Sequence, residues 1–171
     1  MRLEFDRLSF LVIEDNAHMR RLLTAMLEAF GATAIHQAQD GLAGLDLFAK
    51  ERPDIVLLDW EMPGMDGLAV ARRMRDRAWS HNAFAPILMV TAHSEKGRVV
   101  AARDAGISDF LTKPVSSKSL YDKLLGLVID QRPFIATNDY FGPDRRRPNP
   151  PTYFGPERRR PLPPPDSGQA Q

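Results

Sequence analysis

The sequence predicts an α/β protein: a five-stranded parallel sheet with helices on both faces. Three observations predict it. Ile55-Val56-Leu57-Leu58 is a continuous aliphatic run, the pattern of a strand buried on both faces. Strand and helix patterns alternate five times along residues 8–130. The βα units follow one another at short spacing, which leaves one sheet with right-handed crossovers as the consistent arrangement.

Phe10-Leu11-Val12-Ile13 is the first strand and ends at Glu14-Asp15. A helix follows, with Met19, Leu22, Leu23, Met26, Leu27 and Phe30 at helical spacing and Gly31 as its stop. Thr33 to Ala38 reads as a weaker strand near an edge, because His36 and Gln37 interrupt it. Asp40-Gly41 opens a helix through Leu42, Leu45 and Phe48 that Pro53 breaks ahead of the strand leading to Asp59. Asp66-Gly67 opens a third helix with Leu68, Ala71 and Met74 inward, and Arg77 to Ala85 is a polar loop. Ile87-Leu88-Met89-Val90 forms the fourth strand, ending at Thr91, and Glu95 to Ala105 a polar, Ala-rich helix stopped by Gly106. Ile107 to Leu111 is the fifth strand, followed by Thr112-Lys113-Pro114. Ser116 or Ser117 caps a last helix whose Leu120, Leu124, Leu127 and Val128 face inward. A flavodoxin-like strand order, 2-1-3-4-5, would set the ends of the first and third strands side by side.

At 171 residues the chain suffices for one good core and an appendage. Its net charge of +1 hides an asymmetry: residues 1–130 carry 16 Lys and Arg against 18 Asp and Glu, whereas residues 131–171 carry 7 Arg, no Lys and 4 acids. The mildly acidic body gives no reason to expect nucleic acid. The absence of cysteine excludes disulfides and thiolate metal sites and fits a reducing compartment. The first residues lack the apolar stretch of a signal peptide, and no apolar run nears a membrane span of roughly 18–20 residues. A cytoplasmic protein is the expectation.

The strand ends carry the chemistry. The first delivers Glu14 and Asp15, the third Asp59, the fourth Thr91 and the fifth Lys113. Three carboxylates at one sheet edge repel one another. A hard divalent cation resolves that, and Mg²⁺ suits carboxylates, a carbonyl and waters. A Lys ammonium and a Thr hydroxyl would meet the oxygens of a phosphoryl group moving onto a carboxylate. No glycine-rich phosphate loop is present to hold a nucleotide donor. Taken singly, each residue has a plainer reading: Asp59 or Asp15 as a helix cap, Thr91 as an ordinary strand-end residue, Phe110 as core. His18, His36, His81 and His93 show no ligand spacing. Trp60 is expected at the surface beside the site.

Val12-Ile13-Glu14-Asp15-Asn16, Leu57 to Gly67, Val90-Thr91-Ala92 and Phe110-Leu111-Thr112-Lys113-Pro114 occur in the order and context in which residues 8–130 resemble the receiver domain of bacterial two-component response regulators. The resemblance implies that Asp59 takes a phosphoryl group from a phosphohistidine on a sensor histidine kinase or phosphotransfer protein. It implies that Asp15 binds Mg²⁺ directly and Glu14 largely through water, with Asp59 and the Glu61 main-chain carbonyl as further ligands. Thr91 and Lys113 would contact the phosphoryl oxygens, Thr91 and Phe110 would act as the switch pair, and Lys113-Pro114 would be cis. Glu61 and His93 stand where this family varies and are expected to tune the lifetime of the aspartyl phosphate.

The receiver is expected to occupy residues 1–131 and a Pro/Arg-rich, non-globular tail residues 132–171, where ten of the fourteen prolines lie. Tyr140-Phe141-Gly142-Pro143-Asp144-Arg145-Arg146-Arg147-Pro148 recurs 13 residues later as Tyr153-Phe154-Gly155-Pro156-Glu157-Arg158-Arg159-Arg160-Pro161. Aromatic anchors beside Arg forks read as a docking motif. Its expected target is the chain's own receiver, a second copy in a homodimer, or another protein; single-stranded nucleic acid is the less favoured reading. The chain is thus expected to be a phosphorylation-dependent signalling switch, not an enzyme beyond catalysing its own phosphorylation and dephosphorylation. The alternatives are a phosphorelay or phosphate-sink receiver without output, or a Mg²⁺-dependent phosphohydrolase, for which no substrate cap is visible.

Overall fold

In the computed structural model of the chain, residues 4–92, 96–129 and 132–145 are described. A short 3₁₀ turn, Phe5–Arg7, precedes strand β1 (Ser9–Ile13) and helix α1 (Ala17–Ala29). There follow β2 (Ala34–Ala38), α2 (Gly41–Glu51), β3 (Ile55–Asp59), α3 (Gly67–Arg75), β4 (Ile87–Thr91), α4 (Lys96–Asp104), β5 (Asp109–Thr112) and α5 (Ser117–Ile129). The five strands pair in parallel in the order β2-β1-β3-β4-β5, as the sequence predicts.

The period of two in each strand divides the core. Leu11, Ile13, Val56, Leu58, Ile87 and Met89 face one cluster with residues of α2, α3 and α4. Phe10, Val12, Ile55, Leu57, Leu88 and Val90 face the other, with Leu23 and Leu27 of α1 and Leu120 and Leu124 of α5. All five residues of β3 and of β4 are buried, which is why their runs contain no polar residue before the last position. β2, at the edge, is only partly covered.

Helix starts follow local chemistry. Asn16, Asp40 and Asp66 each accept a backbone N–H three residues on, the N-cap bond that satisfies an otherwise orphaned donor. Ser116 does the same for Ser119 at the start of α5. Leu22, grouped inward by spacing, is instead exposed, and the buried face of α1 is carried by Leu23, Thr24 and Leu27.

Residues 132–145 contain no strand period, yet two more strands form there. β6 (Phe134–Ala136) and β7 (Phe141–Pro143) pair antiparallel. Thr137 N–H donates to the Tyr140 carbonyl at 2.8 Å across the two-residue connection Asn138-Asp139. This hairpin and the two residues after it hold residues 140–145 of the first copy of the duplicated motif; the rest of that copy and the second copy, Tyr153 to Pro161, lie outside the described residues.

Candidate functional site

The parallel register brings the ends of β1, β3, β4 and β5 to one edge of the sheet. Ile13 pairs with Leu58, Asp59 with Val90 and Thr91 with Thr112. Glu14 and Asp15 therefore follow β1 directly beside Asp59, while Lys113 follows β5. Glu14, Asp59 and Thr91 are buried, and Asp15 is exposed.

Lys113 spans the acids. Its Nζ donates to Glu14 Oε2 at 3.1 Å and to Asp59 Oδ1 at 3.3 Å, and its main-chain N–H donates to the Thr91 carbonyl at 2.8 Å. The Lys113-Pro114 peptide is cis. Glu14 is further fixed: Oε1 accepts the Asn16 N–H at 3.1 Å, and its carbonyl accepts from Arg20 Nη1 at 2.7 Å. Burial raises the Asp59 pKa, and the Glu14 charge adds to it. Both outweigh Lys113 and leave Asp59 at about 7, against an ordinary 3.8. Burial alone would lower Lys113, but the Glu14 hydrogen bond and the charge of Asp59 outweigh it and hold the ammonium above its usual range.

Glu14, Asp15 and Asp59 each offer a carboxylate oxygen, and these lie within 4.8 Å of one another. An all-oxygen set with excess negative charge fits a hard cation such as Mg²⁺. The loop after β3 is shaped by close approach. Gly67 N–H closes it on the Trp60 carbonyl at 2.8 Å, and a Cβ on Gly67 would stand 2.3 Å from the Asp59 carbonyl oxygen. Only glycine fits there.

Trp60 departs from the surface position expected of it. It is buried, and the Arg98 guanidinium of α4 lies over its ring, 5.4 Å from the centroid. The same Arg98 donates to Glu61 Oε1 at 2.9 Å, so a single α4 side chain covers both residues after Asp59. Phe110 is half-buried against the α2–α4 side of the core. His93 lies outside the described residues.

Residues 10–125 match the response regulator receiver domain. The chain belongs to the response regulator receiver family. Among its relatives, the chemotaxis protein CheY-3 of Vibrio cholerae is 32% identical over 118 residues, which cover 68% of this chain and 88% of that protein. Response regulator MprA of a Mycobacterium species is 39% identical over 118 residues, 69% of this chain but 49% of MprA. In three dimensions the chain resembles the receiver domain of the sensor histidine kinase PA1611 from Pseudomonas aeruginosa. That likeness has a TM-score of 0.62 and 28% identity, covers 70% of this chain and 94% of that one, and that structure holds a magnesium ion coordinated in its active-site cleft. Receiver domains are phosphorylation-dependent signalling switches that work with histidine kinases or phosphotransfer proteins, and this chain is one of them. No helix among the described residues is long and apolar enough to cross a membrane.

The first motif copy packs on this receiver at the opposite end of the sheet from Asp59. Tyr140 is buried, and its hydroxyl donates to the Pro143 carbonyl at 2.8 Å; burial raises its pKa against the pull of Arg145 and Arg75. Phe141 joins Phe84 and Phe134 in one aromatic cluster, with centroids 5.0–5.5 Å apart, and Arg77 lies over its ring. Arg145 pairs with Asp104 at the end of α4 and covers the Tyr140 ring. A Cβ on Gly142 would come within 2.5 Å of the Tyr140 hydroxyl and 3.0 Å of Gly106 Cα. Arg146, Arg147, Tyr153, Phe154, Arg158, Arg159 and Arg160 lie outside the described residues.

Sequence reasoning misses the receiving side. Arg75 is buried at 4% exposure. It donates to the carbonyls of Gly106 at 2.9 Å and of Ala83 and Ala85 at 2.7 Å, under the Phe134 ring at 5.0 Å. Burial lowers its pKa to about 9. In the sequence it is one of several arginines of a solvated run, and nothing singles it out. The hairpin did leave a trace, the turn-forming pair Asn138-Asp139 between two short apolar runs, though without the glycine and positive φ that mark the usual two-residue hairpin turn.

Proposed function

We propose that Asp59 is the phosphoryl acceptor of this receiver and that a sensor histidine kinase or phosphotransfer protein is the donor. The observation that carries the reading is the Lys113 ammonium bridging Asp59 and Glu14 at the carboxyl edge of a parallel sheet, where α/β proteins place their ligands. In the transfer, an Asp59 carboxylate oxygen forms the new O–P bond as the N–P bond to the donor histidine breaks, and the electron pair leaves on the imidazole nitrogen. Lys113 Nζ and the Thr91 hydroxyl would meet the phosphoryl oxygens. Glu14, Asp15, Asp59 and the Glu61 carbonyl would hold Mg²⁺, which neutralises charge on acceptor and phosphoryl group alike. A cation held there would also favour the ionised, nucleophilic form of the Asp59 carboxyl. The receiver catalyses its own phosphoryl uptake and loss in this reading, in the cytoplasm where such kinases present their phosphohistidine. Glu61, and His93 after β4, set the lifetime of the product.

Output runs through α4. Arg98 ties it to Trp60 and Glu61, and Asp104 ties it to Arg145 of the hairpin. These contacts favour the chain's own receiver as the target of the first motif copy. Titration of full-length protein with beryllofluoride and Mg²⁺, in a Trp79→Phe background, tests the site through Trp60 fluorescence. A saturable change that is lost in Asp59→Asn is expected. The same change in Asp59→Asn places the ligand elsewhere.

A further inference from the structure

The aromatic cluster that receives the hairpin is filled on one side only. Phe141 packs on Phe84 and Phe134, yet Phe84 remains 58% exposed. Both Phe84 and Phe134 also line a groove of about 550 Å³ between the hairpin, the amino ends of β4 and β5, and the last turns of α5. Leu127 and Pro143 continue its apolar wall and Arg132 supplies a cation, while Asp109, also in the wall, is paired with Lys123 at 2.8 Å. With Arg75 under Phe134, the uncovered part of the ledge is Phe84, and an exposed ring beside an apolar groove suits a second aromatic ligand.

The chain carries one. We propose that this groove is the binding site for the second motif copy, Tyr153-Phe154-Gly155-Pro156-Glu157-Arg158, docked in cis. The second copy cannot repeat what the first does. At the 13-residue offset, Arg147-Pro148-Asn149 stand where Phe134-Ile135-Ala136 stand before the first copy. The partner strand and its phenylalanine are thus replaced by a cation, a residue without N–H and a polar amide. That sequence disfavours the strand pairing the first copy uses, and Phe84 and Phe134 offer an aromatic surface in its place.

Reach and charge agree. Arg145 lines a smaller depression that shares Ser108, Asp109, Arg132 and Pro143 with the groove, so the chain leaves the hairpin at the groove's lip. The segment 146–152 extends at most about 25 Å at roughly 3.3–3.6 Å per residue, enough to turn back along the groove and too short to hold the motif far from it. The effective concentration of the second copy there is accordingly high. Glu157 presents an acid complementary to Arg132 in the groove wall.

The chain has no cysteine, so two introduced thiols report on this contact alone. Gly126→Cys lies on the groove's α5 wall, where a Cβ meets no atom within 4 Å, and Thr152→Cys immediately precedes the motif. In full-length protein without phosphodonor, a short dithiol crosslinker is expected to join the two within one chain. The rate should fall about tenfold when Tyr153→Ala and Phe154→Ala remove the anchors. Arg132→Glu should slow it, and Glu157→Arg should restore it. Crosslinks chiefly between chains would assign the groove to a second copy and overturn docking in cis. A rate indifferent to the aromatic substitutions, or no crosslink, overturns the proposal as well. Because no phosphoryl group is involved, these outcomes are independent of the reading of Asp59.

Discussion

Asp59→Asn should stabilise the metal-free protein, and the structure supplies the size of the effect. Asp59 is 4% exposed beside Glu14, and its carboxyl titrates at about 7 rather than 3.8. An acid with a raised native pKa binds more protons folded than unfolded between those two values. Stability therefore falls as pH rises through that window, and the cost is complete above the native pKa. The gap of about 3 on the pH scale, at about 1.36 kcal/mol per decade, is worth about 4 kcal/mol; relaxation around the site puts the expected gain at roughly 2–4 kcal/mol near pH 8. The assay is urea unfolding in a chelator at a series of pH values, with the midpoint compared at equal slope. The advantage of the Asn variant should shrink to less than half by about pH 5 and nearly vanish by about pH 4. Adding Mg²⁺ should stabilise the wild type selectively. An Asn variant less stable than wild type near pH 8, or a difference that does not change with pH, refutes the reasoning.

Other outcomes follow from single contacts. Lys113→Met removes the cation from Glu14 and Asp59; it should raise the Asp59 pKa further, seen by NMR titration of the carboxyl carbon, and abolish phosphoryl uptake. Arg75→Met leaves the carbonyls of Ala83, Ala85 and Gly106 without their donor and should cost about 2–4 kcal/mol in urea unfolding. Arg75→Lys should recover little of it, since one ammonium cannot reproduce the fork. Tyr140→Phe removes the hydroxyl donor to Pro143 and should cost about 1–2 kcal/mol, with faster amide exchange confined to residues 134–143.

The sheet was legible because its central strands are buried on both faces, so Ile55 to Leu58 and Ile87 to Val90 admit no polar residue. The acids and Lys113 were legible because each sits at the first or second position after a strand's apolar residues. Side-chain depth was less so. Trp60 follows an acid at a strand end and looks exposed; only Arg98, 38 residues on, shows that a cation covers it. Leu22 fits the apolar spacing of α1 as well as Leu23 does, and only the helix's rotation against the sheet decides between them. The proline-rich composition after residue 131 concealed the hairpin. Its stability comes from Phe84, Arg75 and Asp104, which lie 30 or more positions away, and propensity within the segment carries no record of them.

The central claim is that Asp59 receives the phosphoryl group. Full-length protein incubated with a small-molecule phosphodonor and Mg²⁺, and read by intact mass at neutral pH, tests it most directly. One phosphoryl group per chain is predicted, absent in Asp59→Asn and absent when the metal is chelated. Undiminished uptake by Asp59→Asn, or none by the wild type, would contradict it.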